Sequence, residues 1–199
     1  MSANSRAKTW LLFHRPLSHL YCLEVILSPD LVARCRAADR KAQEHIFSSY
    51  YSDFLKICLR YANDQPGAEA MLSDAFFKIF TKIESYSGTG SFEGWMRRIV
   101  VNTCLTHCRT YNSQHDRPRE DPESNHTAGL QSTNDAFSRL GMRELTRLIQ
   151  SLPPMSRTVF NLFIFEGYSH REIAGQLNIT EGTSHWHVNN ARRWLKSKL

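Results

Sequence analysis

The side chains best suited to a specific chemistry lie near the C-terminal end of the chain. A helix through this segment buries Val188 and places Trp186, Asn190 and Arg193 on the opposite side, with Asn189 beside them. An asparagine presents a donor and an acceptor together to an adenine edge, and an arginine reaches guanine or phosphate. These residue types favour hydrogen bonding to the base edges of duplex DNA.

The tryptophans of this segment can be interpreted either as contact residues or as packing residues. An outward Trp186 exposes apolar area, which a thymine methyl group or a protein partner would cover. Alternatively, Trp186 and Trp194 pack against the neighbouring domain. His185 lies nearer the packed edge of the helix, where an imidazole still reaches guanine or phosphate.

A helix-turn-helix is the element that would present these residues. Ser169 is a suitable N-cap, and Glu172 stands three residues on, as a capping box requires. Asn178 begins a turn, and Thr180 caps the last helix, which we predict over 181–198. In this motif the second helix enters the major groove.

A second polar face is predicted on a helix over 92–111, after the glycine-containing loop 85–90. Arg98, Asn102 and Arg109 lie along one side of that helix. By itself such a side is typical of a solvated helix face. The residues predicted to face the core are Phe92, Met96, Ile99, Val100, Thr103 and His107.

No motif for covalent chemistry accompanies these faces, since zinc-protease, Walker-loop, nucleophile-elbow and dinucleotide signatures do not occur in the sequence. Cys104, His107 and Cys108 would share a helix face, but three ligands without a CxxC pair favour buried thiols over a metal site. The 5 cysteines have no framework spacing and indicate reduced thiols in a cytosolic protein. We therefore predict no enzymatic activity, no metal and no other cofactor.

Composition predicts an all-α fold of two small helical domains. Glycine (9) and proline (7) are sparse, and strand-like alternation is rare. The polar, aperiodic stretch 112–133 predicts a flexible linker between domains at 28–111 and 134–199. Residues 1–27 form an extension, either disordered or upstream of the true start, and charged residues interrupt it too often for a membrane span.

Apolar periodicity places the individual helices within these domains. In the first domain it predicts helices over 41–61, 68–83 and 92–111. In the second it predicts helices over 135–151, 154–166, 169–176 and 181–198. The net charge of +6 is compatible with a polyanionic partner but does not require one.

Two segments resemble a known family. Residues 68–109, AEAMLSDAFFKIFTKIESYSGTGSFEGWMRRIVVNTCLTHCR, look like region 2 of extracytoplasmic-function (ECF) sigma factors, the compact branch of the sigma-70 family. Residues 152–199, LPPMSRTVFNLFIFEGYSHREIAGQLNITEGTSHWHVNNARRWLKSKL, look like region 4 of the same group. The resemblance covers about 28–199. It implies a transcription initiation factor that recruits RNA polymerase to promoters.

For region 2, the resemblance implies contacts with core polymerase and with the −10 promoter element. The residues that match the surface for the beta-prime clamp are Glu69, Ser73, Asp74 and Lys78. The family usually has an acidic residue at Ala70 and often glutamine at Ser73, so this surface has lost polar contacts. Asn102 aligns with the asparagine that reads a flipped base. Arg97, Arg98 and Arg109 would contact the DNA backbone, and Tyr86 would stack on bases. Phe92 and Trp95 either stack on bases as well or belong to the core.

For region 4, the resemblance implies recognition of the −35 element as duplex. The base-contacting positions are His185, Trp186, Asn189 and Asn190, and the phosphate-facing ones are Arg192 and Arg193. The implied partners are core RNA polymerase, through its beta-prime clamp and beta flap, promoter DNA, and an anti-sigma factor. The implied location is the cytoplasm, at the nucleoid when in holoenzyme, with no membrane partner.

Two alternatives remain open. A helix-turn-helix regulator would bind duplex DNA without polymerase, but such regulators lack the region 2 segment. A degenerate sigma-like protein would bind partners without initiating transcription, and the departures at Ala70 and Ser73 keep that interpretation open. The linker either threads toward the polymerase active-site cleft or serves as a spacer.

Overall fold

The computed structural model describes residues 29–115 and 141–198, and all regular structure in those residues is helical. The helices are α1 (Pro29–Arg36), α2 (Arg40–Tyr61), α3 (Gln65–Thr81), a 3-10 turn (Ile83–Ser85), α4 (Phe92–His115), α5 (Met142–Gln150), α6 (Pro154–Ile164), α7 (His170–Leu177) and α8 (Glu181–Lys196). In those same ranges, no helix has the length and apolar character needed to cross a membrane.

The first module consists of α1 to α4. Asp39 caps α2 by accepting a hydrogen bond from the Lys41 backbone, and Asp64 caps α3 by accepting one from the Gly67 backbone. Helices α2, α3 and α4 pack on one another around fully buried side chains. The largest of these are Ile46, Leu72, Ile79, Met96 and Val100.

The sequence predicted these three helices with small errors at their ends. Helix α3 begins at Gln65 rather than residue 68, because Asp64 supplies its cap. Helix α4 continues to His115, so the first residues of the predicted linker are helical. The rest of that linker and the extension 1–27 lie outside the described residues. Helix α1 was not predicted, since its eight residues are too few for a clear period.

The second module consists of α5 to α8 and ends in the predicted helix-turn-helix. Ser169 and Glu172 form the capping box of α7. Asn178 follows α7 with φ 56°, a left-handed conformation that asparagine tolerates and that turns the chain toward α8. Thr180 then caps α8 by accepting a hydrogen bond from the Thr183 backbone.

The two modules pack against each other and share one hydrophobic core. Val159 and Leu162 of α6 belong to the same buried cluster as the core of the first module. At the C-terminal end of α2, the Gln150 amide donates to the Leu59 carbonyl and the Asn161 amide donates to the Arg60 carbonyl. Helix ends leave their last carbonyls without helical partners, so the second module satisfies groups that the first cannot.

Candidate nucleic-acid interface

Helix α8 presents the predicted duplex-reading face. Its inner side is buried at Ser184, Val188, Ala191 and Leu195, as the helical period predicts. Of the six residues assigned to DNA, three are exposed and three are half-buried. The exposed ones are His185, Asn189 and Arg193, and the half-buried ones are Trp186, Asn190 and Arg192.

The two tryptophans of this helix have different neighbours. Trp194 packs against the apolar cluster of its own module, next to Leu195, rather than against the first module. The Trp186 ring meets the edge of His187, with ring centroids 4.9 Å apart. His187 is buried and lies within hydrogen-bond distance of Ser156, at 3.0 Å. The structure therefore does not support the alternative in which Trp194 packs against the neighbouring domain.

A stack of three rings connects the interior of the second module to α8. Phe163 of α6 lies 4.3 Å from His170 of α7, and His170 lies 3.6 Å from His185, measured between ring centroids. His170 Nδ1 also lies 2.9 Å from the hydroxyl of Ser184, which is fully buried. Partial burial, followed by the charges of His185 and Arg192, lowers the pKa of His170.

Sequence reasoning did not assign a function to His170. Its position just after the N-cap of α7 placed it on a supporting helix of the motif, away from the outward face of α8. The one signal available was that α7 and α8 must cross in a helix-turn-helix, which brings the start of α7 near the start of α8. That signal does not specify which two side chains meet.

Helix α4 presents the second predicted face as its period requires. Phe92, Met96 and Val100 are buried on one side, whereas Arg98, Asn102 and Arg109 are exposed on the other. Thr103 is also buried, and Ile99 and His107 are half-buried. The arrangement leaves the Asn102 amide facing outward between two arginines on one helix.

Two of the arginines on this helix are engaged by the second module. The first is Arg97, whose Nε lies 2.9 Å from Glu166 Oε2. The other carboxylate oxygen of Glu166, Oε1, lies 2.9 Å from Arg60, which belongs to α2. The Glu166 side chain is only 4% exposed. Arg109 donates a hydrogen bond to the Gln176 carbonyl of α7.

The loop before α4 packs around the side chain of Tyr86. The Tyr86 hydroxyl donates to the Gly90 carbonyl at 2.8 Å, and its ring packs with Phe92 and Trp95 at 5.1 and 5.6 Å. Arg36 of α1 donates to the Tyr86 carbonyl. With 9% exposure, the Tyr86 ring shapes the loop from inside and offers little surface for a stacked base in this conformation.

The side chains assigned to core polymerase lie along α3. Glu69, Ser73 and Asp74 are exposed and Lys78 is half-buried. Asp74 lies 2.7 Å from His107 Nε2, and Lys78 Nζ lies 3.4 Å from Thr103. Glu69 accepts a hydrogen bond from the Gln65 amide. Sequence reasoning missed Phe77 on the same helix, whose side chain is 70% exposed.

Among the cysteines of the described residues, Cys35, Cys58 and Cys104 are buried and Cys108 is half-buried, all as free thiols. Cys58 and Cys104 Sγ lie 3.8 Å apart in the first module. That contact and burial raise the pKa of Cys104 well above its usual value, and burial raises the pKa of Cys108. Among residues 29–115 and 141–198, no group of three or more histidine, cysteine or acidic side chains is placed to hold a metal ion.

Comparison with known proteins identifies both modules. Residues 46–114 match the family model for sigma-70 region 2, and residues 142–195 match the one for sigma-70 region 4. The first match contains α3 and most of α4, and the second contains the helix-turn-helix. Two helical modules of these kinds in one chain define a sigma-type protein.

Several relatives of known designation are RNA polymerase sigma factors. The RNA polymerase sigma-H factor of Pseudomonas aeruginosa is 27% identical, over 85% of this chain and 92% of the relative. The ECF RNA polymerase sigma-E factor of Haemophilus influenzae is 28% identical, over 88% of this chain and 97% of the relative. The ECF RNA polymerase sigma factor SigE of Mycolicibacterium smegmatis is 31% identical, over 72% of this chain and 56% of the relative. The chain belongs to the sigma-70 family, in its ECF group.

Proposed function

We propose that this protein is an RNA polymerase sigma factor that directs transcription initiation by bringing core polymerase to promoters. The observation that carries the proposal is the pairing of a region 2 module and a region 4 module in one chain. The relatives named RNA polymerase sigma factors match across both modules. In this role the chain supplies recognition, and the covalent chemistry belongs to the polymerase.

The first module would open and hold the −10 element. A single-stranded base needs a hydrogen-bonding reader, and the flanking backbone needs cations. Asn102 is exposed on α4 with Arg98 one turn before it, which supports a reader flanked by a phosphate contact. Arg97 and Arg109 would join that surface once their contacts to the second module are released.

The second module would read the −35 element as duplex. His185, Asn189 and Arg193 are exposed on the second helix of the helix-turn-helix, which is the helix that enters a major groove. Trp186 and Asn190 lie beside them and are partly covered. Arg192 lies at the edge of this face, suited to a phosphate.

Core polymerase would dock on the exposed side of α3. Glu69, Ser73 and Asp74 supply polar groups there, with Lys78 beside them, and Phe77 supplies exposed apolar area. We assign this side to the beta-prime clamp and the second module to the beta flap. The same reasoning gives an anti-sigma factor as a further partner, and the cytoplasm as the location, at the nucleoid when in holoenzyme.

The decisive test combines the purified chain with bacterial core polymerase and a promoter selected from a randomised library. We expect promoter-specific initiation. We also expect Asn102→Ala to reduce open-complex formation by about 10-fold or more, with polymerase binding nearly unchanged, because the variant loses only the base reader. Permanganate footprinting measures opening, and a pull-down with core polymerase measures binding.

A matched control is Ser52→Ala, a polar-to-alanine change at an exposed position of α2. This variant should open promoters normally. Normal opening by Asn102→Ala would remove the base-capture assignment. Failure of the wild-type chain to associate with core polymerase under any condition would leave a duplex-binding regulator.

A further inference from the structure

The −35-reading face of α8 includes a histidine, His185, whose ring is stacked on a side chain of α7. His185 is exposed on α8, yet its ring is stacked on His170 at 3.6 Å with an interplanar angle of 29°. His170 in turn lies against Phe163 at 4.3 Å and 22°. The stack therefore runs from α6 through α7 to the surface of α8.

His170 is well anchored in this stack. Besides the Phe163 ring behind it, its Nδ1 lies 2.9 Å from the hydroxyl of Ser184. Ser184 is fully buried and immediately precedes His185 on α8. An exposed histidine on a helix otherwise samples several rotamers, and ordering it on binding costs conformational entropy. A ring fixed on two sides by the fold offers His185 one preferred orientation before DNA arrives.

The charges around the stack favour a neutral His170. Arg192 lies over the Phe163 ring at 5.9 Å, and both His185 and Arg192 disfavour a proton on His170. Glu181 at the start of α8 raises the pKa of His170, but this effect is smaller than those of burial, His185 and Arg192, which lower it. The His170 ring can remain stacked on His185 while His185 donates to guanine or phosphate.

We infer that His170 is a positioning residue for −35 recognition, which fixes the His185 imidazole through ring stacking so that His185 reads one base pair. The inference rests on the proposed function, because it takes α8 as the −35-reading helix. His170 itself lies on α7 and acts through His185 rather than on a base.

The test uses holoenzyme formed from the full chain and core polymerase. The probe is the −35 duplex selected by wild-type holoenzyme, together with its single-base-pair variants. His185→Ala should reduce discrimination at one base pair by about 5- to 150-fold, the range of a direct base contact. His170→Ala should reduce discrimination at that same base pair by about 2- to 13-fold, the cost of ordering one side chain. His170→Phe keeps a flat ring in the stack and should retain discrimination.

A double-mutant cycle decides between positioning and general structural support. If His170 acts through His185, the double variant His170→Ala/His185→Ala discriminates as poorly as His185→Ala alone. His45→Ala, which removes an exposed histidine of α2, is the matched control and should change nothing.

Three results would overturn the inference. The first is additive losses in the cycle, and the second is an equal loss of affinity for every −35 variant. The third is a His170→Phe variant as defective as His170→Ala, which would assign the effect to the Ser184 contact or to folding. A holoenzyme that never initiates at a specific promoter would instead refute the proposed function, and the two failures are therefore distinguishable.

Discussion

Arg157 shows how one buried side chain joins the two modules. Its guanidinium donates to the carbonyls of Tyr61 and Ala62 and to the Asn63 side chain at 3.3, 2.9 and 2.8 Å, and to the Leu152 carbonyl at 3.1 Å. A buried charge is unfavourable unless hydrogen bonds surround it, and the bonds to Tyr61, Ala62 and Asn63 are possible only when the modules are docked. Arg157 therefore ties the stability of one module to the presence of the other.

We expect Arg157→Ala to lower the free energy of unfolding by about 3 kcal/mol, because buried carbonyls at the end of α2 lose their donor. Urea denaturation followed by circular dichroism measures the change. Arg143→Ala, an exposed arginine of α5, should change it by less than about 0.5 kcal/mol. An unchanged midpoint for Arg157→Ala would mean that the modules are undocked in solution.

At the scale of elements, α7 depends on its cap. The Ser169 hydroxyl accepts a hydrogen bond from the Glu172 backbone, and the Glu172 carboxylate accepts bonds from the Ser169 hydroxyl and backbone at 2.7 and 2.8 Å. These bonds lower the pKa of Glu172, with the Ser169 side chain the largest cause. Helix α7 has only eight residues, so its formation relies on such local contacts as well as on packing of Ile173.

Removing the cap should cost about 1 kcal/mol in free energy of unfolding near pH 7, so Ser169→Ala is expected to lower stability by that amount. Since the pKa of Glu172 is lower in the folded state, its contribution is present above the unfolded value and disappears as pH falls through the folded value. The difference between wild type and Ser169→Ala should therefore shrink in acid. Denaturation at several pH values measures this; a difference that grows in acid would contradict it.

In the whole molecule the second module lies directly against α4, and the proposed binding to two promoter elements requires the two modules to separate. Elements named −10 and −35 lie about 25 base pairs apart, or ~85 Å along the duplex. In the docked arrangement Arg97 and Arg109, which we propose for −10 binding, contact the second module directly. Burial lowers the pKa of Arg60, and the carboxylate of Glu166 opposes that shift. Glu166 thus holds two arginines of the first module at once.

Glu166→Gln should weaken this closure, since one neutral amide cannot neutralise both guanidinium groups. We expect a larger radius of gyration in small-angle scattering and tighter binding of the free chain to a −10 single strand, on the order of tenfold. Glu44→Gln, an exposed change of the same type on α2, should alter neither measurement. An unchanged radius of gyration together with unchanged strand binding would show that Glu166 does not hold the modules closed.

The sequence by itself determined most of the helices, the faces of α4 and α8, and the caps of the helix-turn-helix. Ser169 and Thr180 cap as predicted, and the period of α4 places Asn102 outward, because these features depend on residues within a few positions of one another. The same local order made the helix-turn-helix and both regions recognisable.

Only the tertiary structure decided which side chains from distant parts of the chain meet. The stack of His170 on His185, the bridge from Glu166 to Arg97 and the burial of Tyr86 each depend on how helices dock. A helical period fixes the direction of a side chain around its own axis, but it carries no information on the crossing angle or offset of a neighbouring helix. Packing of the shared core sets those quantities, and with them the contacts at the interface.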